Sequence, residues 1–374
     1  KIYLNIKESN LIIKLQNPKI SIKKNEIKLT KFDLFLSIKS FYSSDFLIEK
    51  TIIGFEKNNI KDITKVTRIF IPRIINKKLN RIFSKGIVEG EIIIPFKTNG
   101  ILSNDYEFKG KVIKSTIYFG KDFEIKNLTS EINYSGKNKD KGITVKVEKG
   151  NLFDLDLDDS TINLKLSKNY KKIKSELYTK GSLNFTKIKK IASLFKINVD
   201  KYNNIDGIIN LKTNINFNLN NSFKVENLNY LMEGNLEKLE INKKENKNIK
   251  KYLPKYNTKL SFKDTIIKIT QSKPNQSATL KGFVKLGDEF DSFSISENFN
   301  YNTKTFNIKG NAELTSSIIE IPSLNYKKNN KKKSEIIFNI KSILDKKHIL
   351  KNLTFLENKT KIFLSNVELN KFLK

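Results

Sequence analysis

Apolar and polar residues alternate along most of this chain. Ile209, Leu211, Ile215, Phe217 and Leu219 share one side of their segment, interrupted only by Thr213. Asn210, Lys212, Asn214, Asn216 and Asn218 share the other. Phe153, Leu155 and Leu157 alternate with Asp154, Asp156 and Asp158, and the pattern recurs at Ile143, Val145, Val147 and at Ile162, Leu164, Leu166. A period of two puts successive side chains on opposite faces of a strand. Each strand then has one apolar and one wet face. That is the pattern of an antiparallel sheet, not of a parallel sheet covered on both sides.

Two segments depart from the alternation. Between Lys61 and Lys85, Ile63, Val66, Ile69 and Phe70, then Ile74, Leu79 and Ile82, fall at helical spacing, with Pro72 set to start, end or kink a helix. Between Thr186 and Phe195, Ile188, Ile191, Ala192 and Phe195 form one helical stripe. Both predict short helices packed on or capping the sheet. Asn242–Asn257, with Pro254, and Ser272–Gln276 read as loops. The predicted organisation is opening strands over 1–60, a helical insertion over 61–85, and a continuing antiparallel sheet over 86–374. The last part carries a short helix near 186–196 and a polar loop near 242–257.

A charged residue followed by glycine recurs at Gly90, Gly110, Gly150, Gly181, Gly234, Gly282 and Gly310. The irregular spacing excludes a fixed-period solenoid. Such glycines mark either bulges and bends inside long strands or ordinary hairpin turns.

Composition adjusts this picture rather than changing it. The 374 residues suggest about two to three domains. Hydrophobic residues at 38% exclude a disordered chain, and 26 Phe with 13 Tyr lean toward strand. The net charge of +32 fits anionic partners, either nucleic acid or lipid head groups. It fits equally a chain that uses lysine as its general polar residue. The lysines are scattered, and their one dense run, Lys327–Lys333, reads as a solvated loop. No stretch reaches the roughly 18 uninterrupted apolar residues of a membrane span. With Lys1 in first place, the chain reads as an internal fragment or processed product whose anchor would lie elsewhere.

Few catalytic chemistries have their residues here. His348 is the only histidine and there is no cysteine, which removes His/Cys zinc sites and thiolate chemistry. There is no Gly-x-Ser-x-Gly elbow and no phosphate-binding glycine loop. Asp154, Asp156, Asp158 and Asp159 begin like a calcium loop. The pattern then fails, with Asp159 where a glycine is needed and Lys165 where a bidentate glutamate is needed. The recognised nucleic-acid-binding motifs are absent, and arginine is scarce. The residues predict a non-enzymatic protein with no cofactor, no metal and no nucleic-acid partner.

Several segments resemble one known family. They are KLTKFDLFLSIKSFYSSDFLIEKTIIGFEKNNIKDI, then IFIPRIINKKLNRIFSKGIVEGEI with Pro72 and Gly86, then YEFKGKVIKSTIYFGKDFEIKNLTSEINYSG, and VEKGNLFDLDLDDSTINL. Over residues 30 to 320 the chain resembles the AsmA-like envelope proteins of Gram-negative bacteria, the superfamily of TamB and YhdP, and the YhdP type above all. It departs from them in having Ile71 and no tryptophan beside the proline. The resemblance implies a mostly-β fold: an elongated, twisted antiparallel sheet forming a repeating β-groove, with one or two short helices. It implies a periplasmic protein anchored in the inner membrane, whose apolar groove passes phospholipid acyl chains toward the outer membrane. The groove candidates are Ile113, Ile117, Phe119, Val145, Val147, Phe153, Leu155, Leu157, Ile162, Leu164, Leu166, Ile209, Leu211, Ile215, Phe217 and Leu219. The rival readings are a structural or adhesive β-sandwich and, more weakly, a basic nucleic-acid binder.

Overall fold

The computed structural model describes residues 1–374 except 23–24, 43–46, 68–82, 119–123, 138–140, 168, 195–198, 200–201, 222–223, 245–257, 287–288, 330, 345–346 and 370–374. The chain divides into two compact units, Lys1–Leu177 with Asn218–Lys224, and Tyr178–Phe217 with Val225–Lys374. The mostly-β, antiparallel fold class read from the alternation is the observed one, and the described strands close no barrel.

In the first unit β1 (Ile2–Asn5) pairs with β2 (Asn10–Gln16). Both β2 and β3 (Lys19–Ile22) pair with the same side of β4 (Asn25–Ser37) in one continuous register. They are one line of strand broken at Asn17 and Pro18, where proline offers no ladder N–H. From β4 the sheet continues antiparallel through β5 (Ile48–Asn59), β6 (Phe83–Pro95), β7 (Glu107–Tyr118), β8 (Glu124–Ser135), β9 (Gly142–Leu152) and β10 (Leu155–Leu166).

Helix α1 (Ile60–Thr67) follows β5 directly. The Asn59 side chain caps it by accepting the Lys61 N–H at 2.9 Å. Ile60 and Ile63 press onto Val88, Phe55 and the Ile27–Leu29 pair. The insertion expected over 61–85 therefore begins as a helix. Phe83–Lys85 belong to β6, which corrects its end. Residues 68–82, Pro72 among them, lie outside the described residues.

In the second unit β13 (Val225–Lys243), β14 (Lys259–Ser272), β15 (Asn275–Lys285), β16 (Phe290–Asn300), β17 (Thr305–Glu313), β20 (Ser334–Ile343), β21 (Lys347–Glu357) and β22 (Thr360–Leu369) pair in that order, all antiparallel. A small hairpin, β18 (Ile319–Ile321) with β19 (Tyr326–Lys328), interrupts the run. The loop expected at Ser272–Gln276 is a tight turn at Lys273–Pro274. Of the loop expected at 242–257, Asn242 and Lys243 belong to β13, and residues 245–257 lie outside the described residues.

Strands β11 (Tyr170–Leu183) and β12 (Tyr202–Asn220) flank α2 (Phe185–Leu194), the helix expected near 186–196. Its first turn is capped by Asn184, whose side chain accepts the Lys187 N–H at 3.0 Å.

Candidate functional site

The register of the first unit assembles an apolar face row by row. One cross-strand row runs Val88, Val112, Ser130, Val147, Ser160, from β6 to β10. The next runs Phe55, Gly90, Gly110, Ile132, Val145, Ile162, and a third Ile53, Ile92, Phe108, Tyr134, Ile143, Leu164. These residues share a face because directly opposed residues in antiparallel strands do, and each strand then steps by two.

Burial changes across these rows. The first is closed, with Val112 at 2% exposure and Val147 at 3%. Beyond it, Ile117, Ile125, Leu128 and Leu157 pack into one buried cluster. In the second and third rows Ile132, Val145, Ile162, Phe108, Tyr134, Ile143 and Leu164 are only half-buried. The face is thus a sealed core at one strand end and a half-open apolar wall at the other. Burial, together with Tyr106, pushes the Tyr134 hydroxyl up from its ordinary pKa.

The sealed end coincides with a line of bulges. Lys114, Asn127 and Asp159 all have positive φ inside strands, and the β7–β8 and β8–β9 registers shift there. Each bulge adds a residue and bends its strand. The residues just beyond are Ser115, Leu128 and Ser160, and the two serines are small enough for the crease they occupy.

The bulges sort the groove candidates. Ile117, Leu155 and Leu157 lie in or beside the sealed cluster with Val147. Val145, Ile162 and Leu164 lie on the half-open wall, and Leu166 continues it. Ile113 is a correction. Val112 takes the apolar face, so Ile113 points to the other side, opposite the exposed Ile87, before the bulge at Lys114 restores the phase. Phe153 is a second correction. With Asp154 it forms the two-residue turn joining Leu152 to Leu155, and both have positive φ. The continuous strand read from 153 to 158 therefore starts at Leu155. A two-residue hairpin that follows the strand twist demands that geometry, even without the usual Asn or Gly. Phe119 lies outside the described residues. On β12, Ile209 is buried, and Leu211, Ile215, Phe217 and Leu219 are half-buried on one face with Thr213.

The opposite face is less uniformly basic than the composition suggests. Glu89, Lys111, Glu131 and Lys146 stand opposite one another in turn across β6 to β9. Lys111 also reaches Glu148 at 2.6 Å, a bond that raises the lysine pKa.

A buried polar cluster in the second unit escaped the sequence reading. Lys328, inside the lysine run expected to be a solvated loop, is 0% exposed. Its ammonium donates to the carbonyl oxygens of Ser317 at 2.6 Å, Thr315 at 3.2 Å and Asn329 at 3.2 Å. Burial lowers its pKa, with Asp291 and Glu357 opposing. The Asp291 carboxylate accepts the Ser316 hydroxyl at 2.7 Å, and Glu357 accepts the Tyr326 hydroxyl. All three ammonium donors are spent on backbone carbonyls. The cluster therefore ties Thr315–Ser317 and Tyr326–Asn329 to the sheet rather than offering a base for chemistry. Nothing in the sequence distinguishes Lys328 from its exposed neighbours.

His348 is exposed on β21, its Nδ1 at 2.7 Å from the Ser342 hydroxyl. No third group orients it among the described residues. Nor is any group of three or more Asp, Glu or His side chains there placed to hold a metal ion. Among the described residues no helix is long and apolar enough to cross a membrane. No protein family, curated protein or solved structure matches this chain.

Proposed function

We propose that this chain is a non-enzymatic sheet segment of an AsmA-like envelope protein of the periplasm, held at the inner membrane. In this reading its apolar face carries phospholipid acyl chains toward the outer membrane. The supporting observation is the half-open wall formed by Ile132, Val145, Ile162, Phe108, Ile143 and Leu164 beside a sealed crease. An acyl chain laid on such a wall gains roughly 0.8 kcal/mol per buried CH₂ and needs no directional contact, so it slides. The sealed cluster is ordinary core, and the lipid path runs along the half-open rows alone.

A photo-crosslinker placed at Ile143 or Leu164 in the protein expressed in its envelope tests this. Lipid adducts at these two positions and none at Val147 are expected. Protein adducts alone at all three positions would instead favour a structural or adhesive sheet whose wall is covered by another protein surface.

A further inference from the structure

The opposite face of the first unit holds a cavity of about 430 Å³. β6 contributes Glu91 and Ile93 to its lining but not the intervening Ile92, which puts most of the lining on the polar face, and Phe108, Tyr134, Ile143 and Leu164 of the third apolar row complete it. Its charge is one-sided. Glu91 is neutralised by Lys31 at 2.5 Å and Glu107 by Lys137 at 2.6 Å, and both cations lie outside the lining. That leaves Lys109, Lys141 and Lys165 around the cavity, and none of the three has an ion-pair partner among the described residues.

The floor between these lysines supplies neutral donors. Asn133, Thr144 and Asn163 stand side by side across β8, β9 and β10. The Thr144 hydroxyl donates to the Asn163 side-chain oxygen at 2.9 Å, a bond that uses the oxygen of Asn163 and not its amide N–H groups. Gly142 sits opposite Lys165, and a Cβ there would crowd the Leu164 carbonyl. With glycine the floor stays flat and the Lys165 stem has room. Three lysines without ion-pair partners and the amide donors of Asn133 and Asn163, all in one lining, match a group with several anionic oxygens.

We propose that this cavity binds a phosphate ester, with Lys109, Lys141 and Lys165 as its charge partners and Asn133 and Asn163 as hydrogen-bond donors. The phosphate belongs either to a small soluble ester or to a phospholipid head group.

Calorimetric titration of the full chain with glycerol 3-phosphate, and flotation with phosphatidylglycerol vesicles, test the proposal. Two triple variants are compared, Lys109→Gln/Lys141→Gln/Lys165→Gln and a charge-matched control, Lys281→Gln/Lys285→Gln/Lys309→Gln. The first is expected to bind about tenfold or more weakly while the control keeps native affinity, with binding falling as salt rises. Saturable binding of glycerol 3-phosphate identifies a soluble ester as the source. A selective loss seen only with vesicles identifies a lipid head group. Equal weakening in both triples, or no saturable binding of either probe, overturns the site and leaves only diffuse charge. The crosslinking test of the acyl path reads lipid adducts and leaves Lys109, Lys141 and Lys165 in place, so either idea can fail alone.

Discussion

Gly90 and Gly110 stand directly opposite each other on β6 and β7, and a Cβ added to Gly90 would lie 2.6 Å from the Gly110 Cα. Gly90 also has φ +156°, a conformation side chains rarely adopt. The two backbones approach here because neither residue carries a side chain, and the Phe108 ring closes over Gly110. Gly90→Ala is therefore expected to cost about 2–4 kcal/mol, combining backbone strain with overpacking. Gly100 has φ +75° with open space around its Cβ position, so Gly100→Ala should cost only about 1–2 kcal/mol. Urea midpoints at constant slope compare the two. Equal losses would show that the close approach is unimportant.

Serines of the two units should respond in opposite directions. Ser130 is 0% exposed, and its hydroxyl, like that of Ser115, has no partner among the described residues. A buried hydroxyl without a hydrogen bond costs about 1–3 kcal/mol. Ser130→Ala is thus expected to leave stability unchanged or raise it, whereas Ser130→Leu should overpack the crease and lower it. Ser316 is also buried, but its hydroxyl serves the Asp291 carboxylate. Ser316→Ala is expected to cost about 1–3 kcal/mol, because the carboxylate loses a donor without gaining water. Thermal melts of the three variants give the signs.

The strand pattern was legible because alternation survives any local sequence noise. The segment from Ile209 to Leu219 lies in one strand, β12, as the alternation led one to expect. The recurring glycines were legible only as a choice between bends and turns. All seven lie inside strands, so the turn alternative falls. Ile113 read wrongly because the phase of a strand is lost at a bulge, and Lys114 carries no sign of its positive φ. Phe153 and Asp154 hid a turn because neither is a residue that turn usually selects. The graded burial of the apolar wall comes from how neighbouring strands bend together, which no single segment encodes. Lys328 was invisible for a related reason, since its partners are carbonyl oxygens, which every residue has.

The pH response of Lys328 has a definite sign. Burial lowers its folded pKa below the ordinary 10.5. Between that lowered value and 10.5 the unfolded chain binds more protons than the fold, so this group adds stability as pH rises through the window. Below the window its desolvation penalty is present in full. Tyr326, whose pKa burial and Glu357 raise, works the other way at alkaline pH. It is present in both wild type and Lys328→Met, so their difference isolates the lysine. Lys328→Met should be destabilised at pH 7, because the three carbonyls lose their donor. The gap to wild type should widen toward pH 10. A gap that closes with rising pH would mean that the lysine is held more tightly charged in the fold than in the unfolded chain.

The two ends of the apolar wall give the last prediction. Leu157 is 1% exposed inside the sealed cluster, whereas Leu164, on the same strand and face, is half-buried on the open wall. Leu157→Asp buries a carboxylate with no partner among Ile117, Ile125, Leu128 and Val147. It should unfold the first unit or force the acid to stay protonated, a loss above about 4 kcal/mol. In Leu164→Asp the carboxylate keeps contact with water, so the fold should survive with a loss of roughly 1–2 kcal/mol. If acyl chains slide along this wall, the folded Leu164→Asp protein loses lipid adducts at a crosslinker on Ile143, its cross-strand partner, because a charge now sits on the path. Thr161→Asp puts the same charge on the polar face of that strand, outside the cavity lining, and should leave those adducts intact. A folded Leu164→Asp protein that still yields lipid adducts at position 143 at the native level would defeat the acyl path while leaving the graded wall as a fact of the fold.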